Sequence, residues 1–317
     1  MAHAIQGLVK YHGLKDKKRR IPFHDSISVC VDRLTTKATI EFDRSYSQDI
    51  VEINGNPASY EETARTYTVV SPLRALARTR DHFKLSTANS LTQGKGLGFS
   101  ASAFASVALA SSTALGLRVE LERLSEIARL GAGSASRSLV GGFSIWYASR
   151  RGRSYARQLP SAMQQNFAMA IVPVPLQVKT DMAHKESVSS TFFQARLSDV
   201  RARLPKMRRA IEEGDVDEVG KLAEADSLSL HAVTMTGKSR LILMAPETIH
   251  VIRQIIAMRE AERIPVWYSL DTGPSVYVNT HPEFVDEVRS RIEKNTNLEV
   301  LKSDVGGPAY TMEEHLF

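Results

Sequence analysis

The chain has 317 residues, with 41 lysines and arginines against 35 aspartates and glutamates, a formal net charge of +6. Hydrophobic residues at 43% and charged residues at 24% exclude a wholly disordered chain, and the length allows two lobes or one large α/β domain. No run of about 18 apolar residues argues for a membrane span, and the single cysteine, Cys30, allows neither an internal disulfide nor a cysteine-built zinc site.

Residues 1–13 lack the basic start and continuous apolar stretch of a signal peptide, so a reducing, cytoplasmic address is expected. The positive charge gathers early, in Lys15, Lys17, Lys18, Arg19 and Arg20. No basic stripe interleaved with aromatics follows it, so an anionic small molecule suits the charge better than nucleic acid. Segments 26–31 and 37–42 alternate apolar and polar residues and predict strands. Leu73, Leu76 and Ala77 place one apolar stripe on a helix over 72–82, and Leu121, Leu124 and Ile127 do so over 120–130. Glycine-rich segments lie before the small-residue run that ends near 110, and again over 131–142. The second half predicts a strand over 168–174 and helices over 188–213, 216–230 and 247–263, the last stopped by Pro265. Runs 266–270 and 275–279 read as strands around the turn Asp271-Thr272-Gly273-Pro274. Pro282 then opens a helix, and 298–302 is a last strand. Strands and helices mix without strict alternation, which predicts an α+β architecture in two lobes, 1–165 and 166–317.

The first chemical candidate is the loop Gln93-Gly94-Lys95-Gly96-Leu97-Gly98-Phe99-Ser100-Ala101-Ser102. Three glycines in five residues let backbone N–H groups turn inward, and a helix starting near Ser100 adds free N–H groups and its dipole. Lys95 brings a charge, while Ser100 and Ser102 bring hydroxyls for phosphate or a metal ion. The spacing matches neither a P-loop nor a dinucleotide fingerprint. Taken alone, a phosphate cradle and a tight loop into a packed helix are equally good readings.

Gly96-Leu97-Gly98-Phe99-Ser100-Ala101-Ser102-Ala103 resembles the phosphate-binding motif of the GHMP kinase superfamily. Val9-Lys10-Tyr11-His12-Gly13 and Pro22-Phe23-His24-Asp25-Ser26 resemble the amino-terminal signature of its mevalonate diphosphate decarboxylase branch. Gly133-Ser134-Ala135-Ser136-Arg137-Ser138 and Asp271-Thr272-Gly273-Pro274-Ser275 add two further blocks in the right order. Within the branch, 5–13 looks most like the mevalonate 5-phosphate decarboxylases. The resemblance implies a GHMP-kinase-like two-lobed fold with a cleft between the lobes, a homodimer, and ATP with Mg²⁺ as cofactors. It also implies a reaction in which a phosphorylated mevalonate is phosphorylated at its 3-hydroxyl, then loses phosphate and CO₂. The same chemistry on mevalonate 5-diphosphate is the alternative, and a nucleotide-binding protein without catalysis is the reading from another class.

The reaction needs a carboxylate to orient and deprotonate the tertiary hydroxyl, a cation to hold the substrate carboxylate and a cradle for phosphoryl transfer. The resemblance assigns the first to Asp271, which in isolation reads more readily as a turn aspartate binding its own backbone. It assigns the second to Arg137, bracketed by glycines, with Ser134 as a companion donor or a simple helix cap. Lys10 and Tyr11 fall where the signature contacts substrate, and Lys95, Gly96, Gly98, Ser100, Ala101 and Ser102 fall in the nucleotide loop. His184 and Lys185 fall where the family grips the distal phosphate, or else in a polar loop.

Three departures bear on specificity. The pattern K-Y-W-G-K reads Lys10-Tyr11-His12-Gly13-Leu14, and a usual serine is Ala132. Losing a cation and a hydroxyl suggests fewer phosphate oxygens to satisfy, since an unused buried cation costs desolvation energy; His12 and His184 are the candidates to restore a donor. His231 lies on a helix and reads as packed, and no histidine pair with a carboxylate stands at metal spacing.

Overall fold

A computed structural model describes residues 1–91, 97–175 and 180–317, apart from the side chains of Thr180 and Asp181. The first half runs β1 (Ala2–Val9), β2 (Leu14–Asp16), β3 (Ile21–Pro22), β4 (Ser26–Asp43), β5 (Ile50–Ile53), β6 (Asn56–Pro57), α1 (Tyr60–Ala77), β7 (His82–Asn89), α2 (Phe99–Ala114), α3 (Leu121–Gly131), α4 (Ala135–Val140), β8 (Phe143–Trp146) and β9 (Ala156–Gln158). The second runs β10 (Ala168–Val172), α5 (Thr180–Ser189), α6 (Phe193–Glu213), α7 (Val216–Met235), α8 (Pro246–Glu262), β11 (Val266–Leu270), β12 (Val276–Thr280), α9 (Val285–Thr296) and β13 (Leu301–Ser303).

Among the described residues, the strands form a seven-stranded sheet in the order β6-β5-β7-β4-β8-β9 with β1 paired to β4, a four-stranded sheet in the order β11-β12-β10-β13, and the hairpin β2-β3. The expected strands 26–31 and 37–42 are one long strand. Its first part pairs with β1 and β8, and its second with β7. Exposed Asp32 and Arg33 break the inward pattern between the two parts. The expected helix 188–213 is two helices, α5 and α6. The expected helix 72–82 begins far earlier, at Tyr60, behind a capping box in which Ser59 and Glu62 satisfy each other's backbone N–H groups. Among the described residues no helix is long and apolar enough to cross a membrane.

Three apolar layers hold the sheets. Val69, Leu73, Ala105, Leu124 and Leu139 pack α1 to α4 against one face of the large sheet. Val251, Ile255, Val285 and Ile292 pack α8 and α9 against the small one. Between the sheets lies a shared core, in which Leu8, Ile27 and Phe143 meet Met169, Val200, Met207 and Trp267. Burial of apolar surface therefore welds the two halves together rather than leaving them to hinge freely. β1 sits at this weld, touching α2 and α4 on one side and α6 and α7 on the other. All eight of its residues are buried, and its end delivers residues 10–13 between the sheets.

Candidate active site

Asp271 leaves β11 at the carboxyl end of a fully buried strand. Its Oδ1 accepts the Gly7 N–H at 3.0 Å, and its carbonyl accepts from His231 Nε2 at 3.1 Å. That bond fixes the His231 tautomer with its proton on Nε2. Burial raises the Asp271 carboxyl to about 6, against the opposing pull of Lys10, the Gly7 N–H and Arg137. Gly7 is the reason for the close approach: a Cβ there would lie 2.6 Å from Lys10 Cγ and 2.8 Å from Asp271 Oδ1.

Lys10, just past β1, is 4% exposed. Its Nζ donates to Ser227 Oγ at 3.1 Å and Ser269 Oγ at 2.9 Å, with Asp226 Oδ2 at 3.7 Å. Arg137, on the short helix α4, is 2% exposed, and its Nε and Nη1 have no hydrogen-bond partner. Burial lowers its pKa against the pull of Tyr11 and Asp271. Its guanidinium lies 5.7 Å from the centre of the Tyr11 ring. Tyr11 meets Trp146 edge-on at 4.8 Å and stacks on His184 at 5.0 Å. A Cβ at Gly133 would come within 2.6 Å of the Tyr11 hydroxyl, so the small residues before α4 make room for that ring. Ser134 makes no capping bond to α4.

Both ring nitrogens of His12 have protein partners, Nδ1 with Ser187 Oγ at 3.1 Å and Nε2 with Thr272 Oγ1 at 3.2 Å. Desolvation holds its pKa well below the usual histidine value. A neutral His12 thus ties α5 to the Asp271 turn. The Gly13 N–H donates to His184 Nδ1 at 3.2 Å. Beside this group opens a cavity of about 310 Å³ lined by Leu14, Lys17, Arg20, His184, Lys185 and Val188.

At the start of α2, Gly98 takes a φ of 73°, and a Cβ there would lie 2.6 Å from the Ile5 carbonyl oxygen; both features call for glycine. Ser100 is exposed, whereas Ala101 and Ser102 are fully buried. Ser102 Oγ is 2.7 Å from Thr36 Oγ1 and donates to the Phe99 carbonyl, so it holds α2 against β4. Lys95 and Gly96 lie outside the described residues.

The structure brings Lys10, Arg137 and Asp271 into one electrostatic neighbourhood, with Tyr11, His12 and His184 alongside and Lys185 at the cavity. Sequence reasoning missed Gly7, Ser227, Ser269 and the buried Asp226-Arg196 pair, and took His231 as packing alone. The available signal was an aspartate and a histidine, five residues apart, among the buried residues of α7.

This fold and this cleft define a small-molecule enzyme of the GHMP-kinase type. The family model described as diphosphomevalonate decarboxylase-like N-terminal domain matches residues 2–156, and that described as mevalonate 5-diphosphate decarboxylase C-terminal domain matches 179–309. The chain belongs to the diphosphomevalonate decarboxylase-like family. It is 38% identical to the phosphomevalonate decarboxylase of Haloferax volcanii over 99% of this chain and 97% of that protein. It is 28% identical to the diphosphomevalonate decarboxylase of Candida albicans over 90% and 85% of the two chains. Among solved structures it resembles mevalonate diphosphate decarboxylase from Staphylococcus aureus, with a TM-score of 0.91 at 27% identity over 97% and 95% of the two chains. A structure described as MDDEF in complex with MVAPP, AMPPCP and magnesium gives a TM-score of 0.90, also at 27% identity with the same coverage.

Proposed function

We propose that the chain is an ATP-dependent carboxy-lyase that converts mevalonate 5-phosphate to isopentenyl phosphate, with ADP, phosphate and CO₂ as the other products. The observation that carries this reading is the buried Arg137 guanidinium, whose Nε and Nη1 have no hydrogen-bond partner, in the same neighbourhood as a carboxyl raised to about 6. A buried cation without a counter-ion is costly, and a substrate carboxylate relieves that cost through two parallel hydrogen bonds. The 38% identity to a phosphomevalonate decarboxylase supports the same substrate.

The residues present fit ATP and Mg²⁺. Gly98 opens α2 in a left-handed conformation with no room for a Cβ, and Ser100 stands exposed on the first turn. Gly98 and Ser100, with Lys95 and Gly96, would hold the phosphates and the ion, while Ala101 packs the turn. Mg-ATP supplies the phosphoryl group that turns the 3-hydroxyl into a leaving group. Asp271 takes the proton from that hydroxyl. Lys10 stabilises the ionised carboxylate of Asp271, and Arg137 with Ser134 and Tyr11 holds the substrate carboxylate so that its C–C bond breaks as phosphate departs. No side chain needs to bond covalently to substrate.

The cavity supports the monophosphate. Lys17, Arg20, His184 and Lys185 offer charge and donors for a 5-phosphate, while Leu14 and Val188 make part of its wall apolar. His12, bonded through both nitrogens, serves as a strut. The test couples ADP and CO₂ release, with mevalonate 5-phosphate and mevalonate 5-diphosphate run in parallel. One CO₂ per ADP with the monophosphate preferred is the expected result. Preference for the diphosphate would remove the Leu14 argument and keep the chemistry, ADP without CO₂ would leave a kinase, and neither product would leave a nucleotide-binding protein. A homodimer belongs to the same reading and is checked by sedimentation.

A further inference from the structure

Asp226 is the fully buried carboxylate at the centre of a charge cluster that the catalytic roles above do not use. It lies on α7, and three residues from two parts of the fold, the end of β1 and α6, point donors at it. The Lys10 N–H reaches Oδ2 at 2.9 Å. Arg196 Nη2, from α6, reaches both oxygens at 3.2 and 3.3 Å. About two turns further along α6, Arg203 Nη1 reaches Oδ1 at 3.1 Å while its Nη2 binds Asp199. Arg196 Nη2 also donates to the Lys10 carbonyl at 2.9 Å. Both peptide groups of Lys10 are therefore held, one by Asp226 and the other by the arginine that Asp226 anchors. The next residue on α7, Ser227, accepts from the Lys10 ammonium and from the Leu270 N–H just before Asp271.

We propose that Asp226 is a positioning residue for Lys10, fixing the chain where it leaves β1 and supplying the counter-charge that lets the ammonium stay beside Asp271. The proposal rests on the reading of Lys10 as a member of the reacting site. A buried ion pair of this kind is a poor source of stability, because desolvation offsets most of the attraction; its use here is to hold a charge in a fixed place. Burial opposes ionisation of Asp226, yet Arg196, Lys10 and Arg203 keep it below the ordinary aspartate value. The groups that face Lys10 are Asp226 and His231 from α7, Asp271 after β11, Arg196 and Arg203 from α6, and His12 on its own segment. Desolvation and the two arginines push Lys10 toward losing its proton, while Asp226 and then Asp271 oppose this. Without Asp226, two guanidiniums and one ammonium share a buried space with Asp271 as the remaining close anion.

The test labels the lysine side chains with ¹³C, assigns Lys10 by comparison with a Lys10→Met chain, and follows its titration by NMR in the native chain and in Asp226→Asn. The expected result is a Lys10 signal that titrates at lower pH in the variant, with Asp226→Glu restoring it. The alkaline limb of kcat/KM for mevalonate 5-phosphate is expected to move the same way, so that activity near pH 9 falls about tenfold relative to neutral pH. An unchanged Lys10 titration overturns the proposal whatever the substrate proves to be. A shifted titration in a protein that releases no CO₂ from either mevalonate ester supports Asp226 as the partner of Lys10 and defeats the functional reading instead. If Asp226→Asn does not fold, the charge-balanced pair Asp226→Asn/Arg203→Gln is compared with Arg203→Gln alone: a Lys10 signal that titrates at lower pH in the pair is expected, and equal titrations overturn the proposal.

Discussion

Burial raises the Asp271 carboxyl from 3.8 to about 6, so between those values the folded chain keeps a proton there that the unfolded chain has released. The sign follows: this group favours the folded state at low pH, and that contribution is lost as pH rises through about 6. Asp271→Asn is therefore expected to melt higher than the native chain at pH 7, by on the order of 2 kcal/mol, with the gain fading toward pH 4. Its turnover is expected to fall about 10²–10⁴-fold. In the native enzyme kcat/KM should drop about tenfold per unit below pH 6, as the base is protonated. A melting temperature unchanged at pH 7, or an acid limb near pH 4, would contradict this account. His24 and His231 carry the opposite sign. Burial lowers both to about 4, so their contribution is present above 6.5 and lost as pH falls toward 4. Arg137 follows the logic of an unpaired buried charge. Arg137→Met is expected to reduce kcat/KM about a hundredfold, in line with the loss of a desolvated charge partner, while the free protein melts at or above the native temperature. A large loss of stability in that variant would show that Arg137 has a structural partner.

At the scale of elements, β1 matters more than its sequence suggests. Gly7 lets the strand pass against Lys10 and Asp271 at once, and Gly7→Ala should displace both side chains. Turnover is expected to fall about ten- to a hundredfold, since small misplacements of reacting groups are costly; circular dichroism should show the fold retained. An active Gly7→Ala chain would mean that Lys10 and Asp271 tolerate a wider spacing. The same strand shows what the sequence could not display. Residues 2–9 have no alternation of apolar and polar positions, because α2 and α4 cover one face and α6 and α7 the other. The runs 26–31, 266–270 and 275–279 were legible because their punctuation and patterning match strands. The break between α5 and α6 was not, since residues 190–192 carry neither glycine nor proline to mark it. Asp271, Arg137 and Lys10 could be read because each sits in a short motif. Asp226 could not, because its bond to Lys10 joins positions 216 residues apart, and only the packing of α7 on β1 brings them together.

The whole molecule closes on itself through its carboxyl end, and that closure reaches the site. After β13 in the small sheet, residues 304–310 run back along the large one. The Asp32 N–H donates to the Asp304 carbonyl, the Gly306 N–H to Cys30, the Gly142 N–H to Gly306 and the Ala309 N–H to Leu139, all between 2.9 and 3.1 Å. Pro308 lies so close to Gly141 that a Cβ there would sit 2.1 Å from its nitrogen. Gly141 caps α4 with a φ of 73°, and α4 carries Arg137. The last residues are held more lightly: Glu314 pairs with Lys37 at the surface and Phe317 lies under the Lys84 ammonium. Two truncations separate these layers. Removing 311–317 deletes an exposed ion pair and a surface ring contact, and is expected to cost about 1 kcal/mol or less with kinetics unchanged. Removing 305–317 strands the carbonyls of Cys30 and Leu139 and the Gly142 N–H, each worth about 1–3 kcal/mol when buried without a partner. The melting temperature should then fall by at least about 5 °C. The KM for the mevalonate ester should rise more than that for ATP, because the loosened helix holds the carboxylate and not the nucleotide. Equal changes in both KM values would place the effect of the tail on global stability alone.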